Sequence, residues 1–136
     1  MKTITSILIL LVSKISFAQT PTEYFNKSAD ADQSGNFKLS LKYIDKALEL
    51  DPLNIEYLNA KGYAQYELRM ILESYKTLTK TIEAEPNYTA YQCRAIALET
   101  MAQFSLAIQD YTDAIDLAPN DMLKYVTYSN RGGCKS

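Results

Sequence analysis

Three prolines set the frame of this 136-residue chain. Pro52, Pro86 and Pro119 stand thirty-four and thirty-three residues apart, and the residues ahead of each proline repeat in kind. At twenty-four, twelve and five residues before them lie Ser28, Ser40 and Ala47, then Gly62, Ser74 and Thr81, then Ala95, Ala107 and Ala114. At twenty-eight and eight before lie Tyr24 and Ile44, Leu58 and Leu78, Tyr91 and Tyr111. Small residues recur in one set of slots and large apolar ones in the other. Antiparallel helices approach closely only where the side chains at their crossing are small, and large side chains fill the spaces between. A period of this length predicts an all-α solenoid of helix pairs. Each pair covers its neighbour, so about three repeats are needed for stability.

Local signals place seven helices. Thr20 can cap the first, Pro21 suits its opening turn, and the helix is expected to run to about Ser34. Gly35 stops it and Asn36 can cap the second, about Phe37 to Leu50, with Leu41, Ile44 and Leu48 on one stripe. Pro52 enforces the next break. Asn54 caps a third helix, about Ile55 to Leu68. A fourth runs from about Ile71 to Ala84, a fifth capped by Asn87 from Tyr88 to Met101, and a sixth from Phe104 to Leu117. Between the third and fourth, Arg69-Met70 replaces Gly35-Asn36. Neither residue readily takes a left-handed conformation or caps, so a helical turn through this region is expected.

The C-terminal stretch begins a fourth repeat. Asn130-Arg131-Gly132 echoes Ala60-Lys61-Gly62 and Cys93-Arg94-Ala95, which puts Gly132 in the small slot of a helix of about Asp121 to Cys134. Extra residues ahead of Gly132, compared with the repeat before, are expected to lengthen its start. The repeats are bounded at about 21–54, 55–87 and 88–121, with a half repeat at 122–136. The half repeat is expected to fray or to be completed by another molecule, and a two-fold homodimer through these ends is the simplest completion.

Residues 1–18 read as a signal peptide. Lys2 precedes a mostly apolar run, Ile4 to Val12, and Ser16-Phe17-Ala18 offers small residues at a cut before Gln19. The run is shorter than the roughly 20 apolar residues a bilayer-spanning helix needs. The expectation is an exported, periplasmic or extracellular domain over 19–136, with no integral membrane segment once the signal is removed. That domain carries 12 basic and 16 acidic residues, dispersed along it. Such a balance argues against nucleic acid, which requires clustered Lys and Arg.

Catalytic and metal chemistry is not written in this chain. There is no His, the commonest general base and metal ligand, and no Gly-rich phosphate loop. No cofactor and no enzyme activity are expected. Asp110, Asp113 and Asp116, spaced by three, read as a solvated helix face rather than a metal strip. Cys93 and Cys134 leave two alternatives open, a disulfide or two free thiols.

These phased slots, with GNFKLSLKYIDKALELDP as the closest stretch, resemble the tetratricopeptide repeat family over about residues 21–134. The resemblance implies a right-handed superhelix of three repeats and a truncated fourth, in which the first helix of each pair lines a concave groove that binds peptides or partner proteins. Carried over, the groove face comprises Phe25, Ala29 and Asp32, then Asn59, Tyr63 and Tyr66, then Gln92, Ile96 and Glu99. Spacings of three and four put each group on one helix face. One subclass of the family clamps the C-terminal carboxylate of heat-shock chaperones with Lys, Asn and Arg. At the matching places this chain has Phe25, Ala29, Ala60, Thr89 and Cys93, so that clamp is absent. The reading is an exported, non-catalytic scaffold or adaptor that holds a protein or peptide segment. Its alternatives are a structural, self-associating component of an envelope assembly and an accessory segment of a larger protein.

Overall fold

A computed structural model describes residues 19–134 of the chain. The proposed signal peptide, residues 1–18, lies outside the described residues. Seven α-helices follow one another: α1 (Pro21–Gln33), α2 (Phe37–Leu50), α3 (Ile55–Glu67), α4 (Ile71–Ala84), α5 (Tyr88–Thr100), α6 (Phe104–Leu117) and α7 (Asp121–Gly133). No strand occurs among the described residues. The architecture is the all-α repeat solenoid that the period implies. α1 packs on α2, α3 on α4 and α5 on α6, and each pair leans on the next.

The starts follow the caps read from sequence. Thr20 Oγ1 accepts from the Glu23 N–H at 3.2 Å, and Asn36, Asn54 and Asn87 accept from Leu39, Tyr57 and Ala90 at 3.2, 3.1 and 2.9 Å. Asn120 does the same for α7 through the Leu123 N–H at 2.9 Å. Each of these bonds satisfies a donor that the helix itself leaves orphaned.

The small slots are the contact points within each pair. Ser28 and Ser40 share a buried hydroxyl bond of 2.9 Å, and the Ser74 hydroxyl donates to the Gly62 carbonyl at 2.7 Å. Ala95 and Ala107, the corresponding pair, are fully buried. A Cβ added to Gly62 would lie 2.6 Å from Leu78 Cγ, so only glycine admits Leu78 here. The large slots Ile44, Leu78 and Tyr111 are fully buried, each the centre of one apolar cluster. Burial pushes the Tyr111 phenol up, and its hydrogen bond to the Glu99 carboxylate adds to this.

The turns within the pairs correct one expectation. No helical turn runs through Arg69-Met70. Gly35, Arg69 and Ala102 all adopt the left-handed conformation, with φ of 71°, 63° and 57°. All three turns carry the same two bonds. Gly35, Arg69 and Ala102 donate to the carbonyls of Asp32, Tyr66 and Glu99 at 2.9, 2.9 and 2.8 Å. Asn36, Met70 and Gln103 donate to those of Ala31, Gln65 and Leu98 at 2.8, 2.9 and 2.8 Å. This is the glycine-favoring helix stop known as the Schellman motif. The packing of each pair across its small slots fixes the connection, and residues 69 and 102 take the required backbone despite their side chains.

A second ladder ties successive pairs together. Lys61 bridges back to Asp45 at 2.7 Å, Arg94 donates to Thr79 at 3.2 Å and Arg131 donates to Thr112 at 3.2 Å. Asp45, Thr79 and Thr112 each stand seven residues before a repeat proline. The equivalence of Arg131 with Lys61 and Arg94 supports the phase assigned to the fourth repeat. α7 begins at Asp121, eleven residues ahead of Gly132, whereas α5 begins at Tyr88, seven ahead of Ala95. The extra residues therefore add about one turn at the start.

Candidate functional site

The first helices of successive pairs lie side by side and enclose an open cleft of about 600 Å³. α1 contributes Asp32; α3 contributes Ile55, Glu56, Asn59, Ala60 and Tyr63; α5 contributes Thr89 and Cys93, with Asn87 at its cap. The walls are mostly apolar carbon, and none of these nine residues is basic.

Asn87 organises one wall. Its Oδ1 accepts from the Ala90 N–H at 2.9 Å as the helix cap, and also from Asn59 Nδ2 at 3.0 Å. Because Asn87 Oδ1 is already an acceptor, Asn59 must turn its amide nitrogen toward it. Asn59 Oδ1 is left buried with no donor among the described residues, and so is Asp32 Oδ1. Tyr63 forms the aromatic part of the wall. The residue is 41% exposed, and its ring meets Phe37 edge-on with centroids 5.9 Å apart. Burial pushes the Tyr63 phenol up, and the Glu67 and Asp32 carboxylates push it further in the same direction. Burial raises the Cys93 thiol to about 11, so it is a protonated, apolar part of the lining near neutral pH.

The groove residues read from sequence separate into two groups. Asn59, Tyr63 and Asp32 meet in the cleft. Phe25, Tyr66, Gln92, Ile96 and Glu99 are engaged in packing or bonding to other helices. Phe25 stacks on Tyr57 at 4.9 Å, and half-buried Tyr66 lies near the Tyr111 phenol. Ile96 packs against the Ala95, Leu98, Ala107 and Tyr111 cluster. Glu99 accepts from the Tyr111 hydroxyl, and Gln92 accepts from the fully buried Thr127 of α7 at 2.8 Å. Ile55, Glu56 and Asn87 line the cleft without having been read as groove residues. Their signal in the sequence is their place at a helix start, at or just after a capping asparagine.

Of the two alternatives for the cysteines the structure has the free thiols, and one expectation, about Asp110, is corrected. The Cys93–Cys134 bridge is not formed. Both thiols are free, Cys93 beside the Leu78 cluster and Cys134 against the Tyr111 cluster. Asp110 does not belong to a solvated face. It is buried and receives two bonds from Arg94, at 2.7 and 2.8 Å. The Arg94 guanidinium lies 5.9 Å from the Tyr75 ring and 5.7 Å from the Tyr91 ring. Its position is that of a structural tie between α5 and α6. No group of three or more metal-ligating side chains forms among the described residues.

Comparison with known proteins agrees with this architecture. A profile of the tetratricopeptide repeat matches residues 24–52. Serine/threonine-protein phosphatase 5 of Rattus norvegicus is 24% identical over 100 residues, covering 73% of this chain but only 20% of the phosphatase. The chain thus spans about a fifth of the length of that relative. Among solved structures, the Arabidopsis OM64 TPR domain superposes with a TM-score of 0.76 at 20% identity, covering 83% of this chain and 94% of that one. The first TPR of Spaghetti (RPAP3), bound to the HSP90 peptide SRMEEVD, gives 0.75 at 16% identity, covering 84% and 91%. A tetratricopeptide repeat is thus matched within α1–α2, and the chain shares the fold of TPR domains along most of its length.

Proposed function

We propose that this chain is a non-catalytic interaction module that holds an extended segment of a partner protein in the cleft between α1, α3 and α5. The observation that carries the reading is the cleft itself. It is about 600 Å³, apolar in its walls, and carries a few convergent polar groups and a partly exposed tyrosine. Those are the attributes of a preformed binding site. The structural neighbour bound to the HSP90 peptide supports peptide binding on this fold. That peptide carries three acidic residues, whereas no basic residue lines the cleft here, so the preferred partner is a different one. The leader-like residues 1–18 support export, and the partner is sought in the exported fraction. Capture with the mature chain as bait, repeated with Tyr63→Ala, tests the reading. Tyr63→Ala is expected to lose the captured partner while remaining helical. Undiminished capture by that variant counts against the cleft.

A second reading, self-association, draws on α7. Met122 and Tyr125 are 76% and 74% exposed, Val126 and Tyr128 are also exposed, and only Thr127 of this helix is buried. Sedimentation velocity over a hundredfold concentration range separates the readings. A monomer throughout removes the homodimer through the C-terminal half repeat.

A further inference from the structure

We propose that the cleft takes a cationic side chain, lysine or arginine, of the bound segment, with Asp32 and Asn59 as its acceptors. This rests on the groove reading above and adds the chemistry of the occupant. Buried polar side-chain atoms are nearly always hydrogen-bonded, and one left without a partner carries the full penalty of its lost water. Among the described residues two such atoms stand out, Asp32 Oδ1 and Asn59 Oδ1, and both belong to residues lining this cleft. Both are acceptors. The orientation of Asn59 is set by Asn87, whose Oδ1 already serves the Ala90 N–H and so can receive only a donor from Asn59. Asp32 and Asn59 thus hold two unpartnered acceptors beside the cleft, which a donor from an occupant satisfies once these side chains turn toward it.

Charge points the same way. Asp32 and Glu56 are the ionisable carboxylates of the lining, and no lysine or arginine offsets them. Lysine and arginine side chains carry only donors, so either satisfies acceptors without presenting a competing lone pair. The partly exposed Tyr63 adds an aromatic ring, over which a cation is favourable. A carboxylate entering here would meet Asp32 as a like charge and would leave both acceptors unpaired. The volume is enough for one long side chain with its flanking backbone.

The probes are mixtures of acetylated, amidated heptapeptides with one central position fixed as arginine, lysine, norleucine or glutamate. Binding to the chain is read by fluorescence anisotropy at low salt. The arginine or lysine mixture is expected to bind at least about 10-fold more tightly than the norleucine mixture, as charge-assisted hydrogen bonds imply. Asp32→Asn keeps the side-chain shape and one acceptor oxygen, and should reduce that preference to within about threefold without changing helicity. Equal or tighter binding of the norleucine or glutamate mixture overturns the cationic occupant but leaves the groove reading standing. A basic preference that persists undiminished in Asp32→Asn also overturns it. Failure of every mixture to bind below millimolar concentration removes the groove reading and this inference together.

Discussion

The three turns within the helix pairs amount to a natural experiment in backbone strain. Gly35, Arg69 and Ala102 occupy the same left-handed position, and Asn36, Met70 and Gln103 the same capping position, yet only the first turn has the residues the geometry favours. Copying that turn into the third pair requires Ala102→Gly and Gln103→Asn, both at exposed positions, so neither change removes buried apolar surface. A left-handed conformation costs a non-glycine residue about 1–2 kcal/mol. The extra freedom of glycine in the unfolded chain offsets about 0.4–1 kcal/mol of that relief. Ala102→Gly should therefore stabilise by about 0.5–1 kcal/mol. Gln103 makes no side-chain cap bond, whereas Asn36 accepts from the Leu39 N–H, and a gained cap contributes about 1 kcal/mol. The double variant should gain about 1.5–2 kcal/mol. That is a rise of roughly 5–10 °C in melting temperature for a domain of this size. Circular dichroism melts with urea titrations at 25 °C provide the measurement. The reverse step supplies the control. A Cβ on Gly35 would meet nothing within 4 Å, so Gly35→Ala tests strain alone and should destabilise by the same 0.5–1 kcal/mol. If Gly35→Ala and Ala102→Gly shift stability in the same direction, left-handed strain is not what distinguishes these turns.

Other perturbations test the packing and the buried groups. Gly62→Ala forces its Cβ to within 2.6 Å of the fully buried Leu78, and should destabilise by about 1–3 kcal/mol. Gly132→Ala, where a Cβ would meet nothing within 4 Å, should instead stabilise α7 by about 0.5–1 kcal/mol, and chemical denaturation of both variants decides. Asp110→Ala leaves the Arg94 guanidinium partly buried between two tyrosines without its carboxylate, and should cost about 3 kcal/mol in the same assay. The Cys93 thiol, raised by burial to about 11 from an ordinary 9.0, holds its proton longer in the folded than in the unfolded chain. The unfolded state then binds fewer protons above pH 9, so stability should fall as pH rises from 9 to 11. Cys93→Ala should make that fall shallower in urea melts recorded across the interval.

The repeat itself was legible in the chain because its determinants are local. Prolines that end helices, asparagines that cap them and small residues at fixed offsets act over a few residues each. They placed all seven helices, and in the structure Ser28 meets Ser40 and Ser74 meets Gly62 as those offsets imply. What depends on neighbours distant in sequence was decided only by the tertiary structure. Arg69 and Ala102 are left-handed because packing fixes how a three-residue connection must run, overriding the preference of the residues themselves. Asp110 looked like one of three surface acids, but it is buried because Arg94, on the preceding helix, supplies two donors. Gln92 and Glu99 share a helix face with the residues read as a groove. Thr127 and Tyr111 reach them from α7 and α6, and helical periodicity carries no information about which face a later element engages. Asn59 and Asp32 were legible as candidates. That both would keep a buried oxygen without a partner, on residues lining one cleft, follows from how three first helices lie together and from the cap that turns Asn59 around.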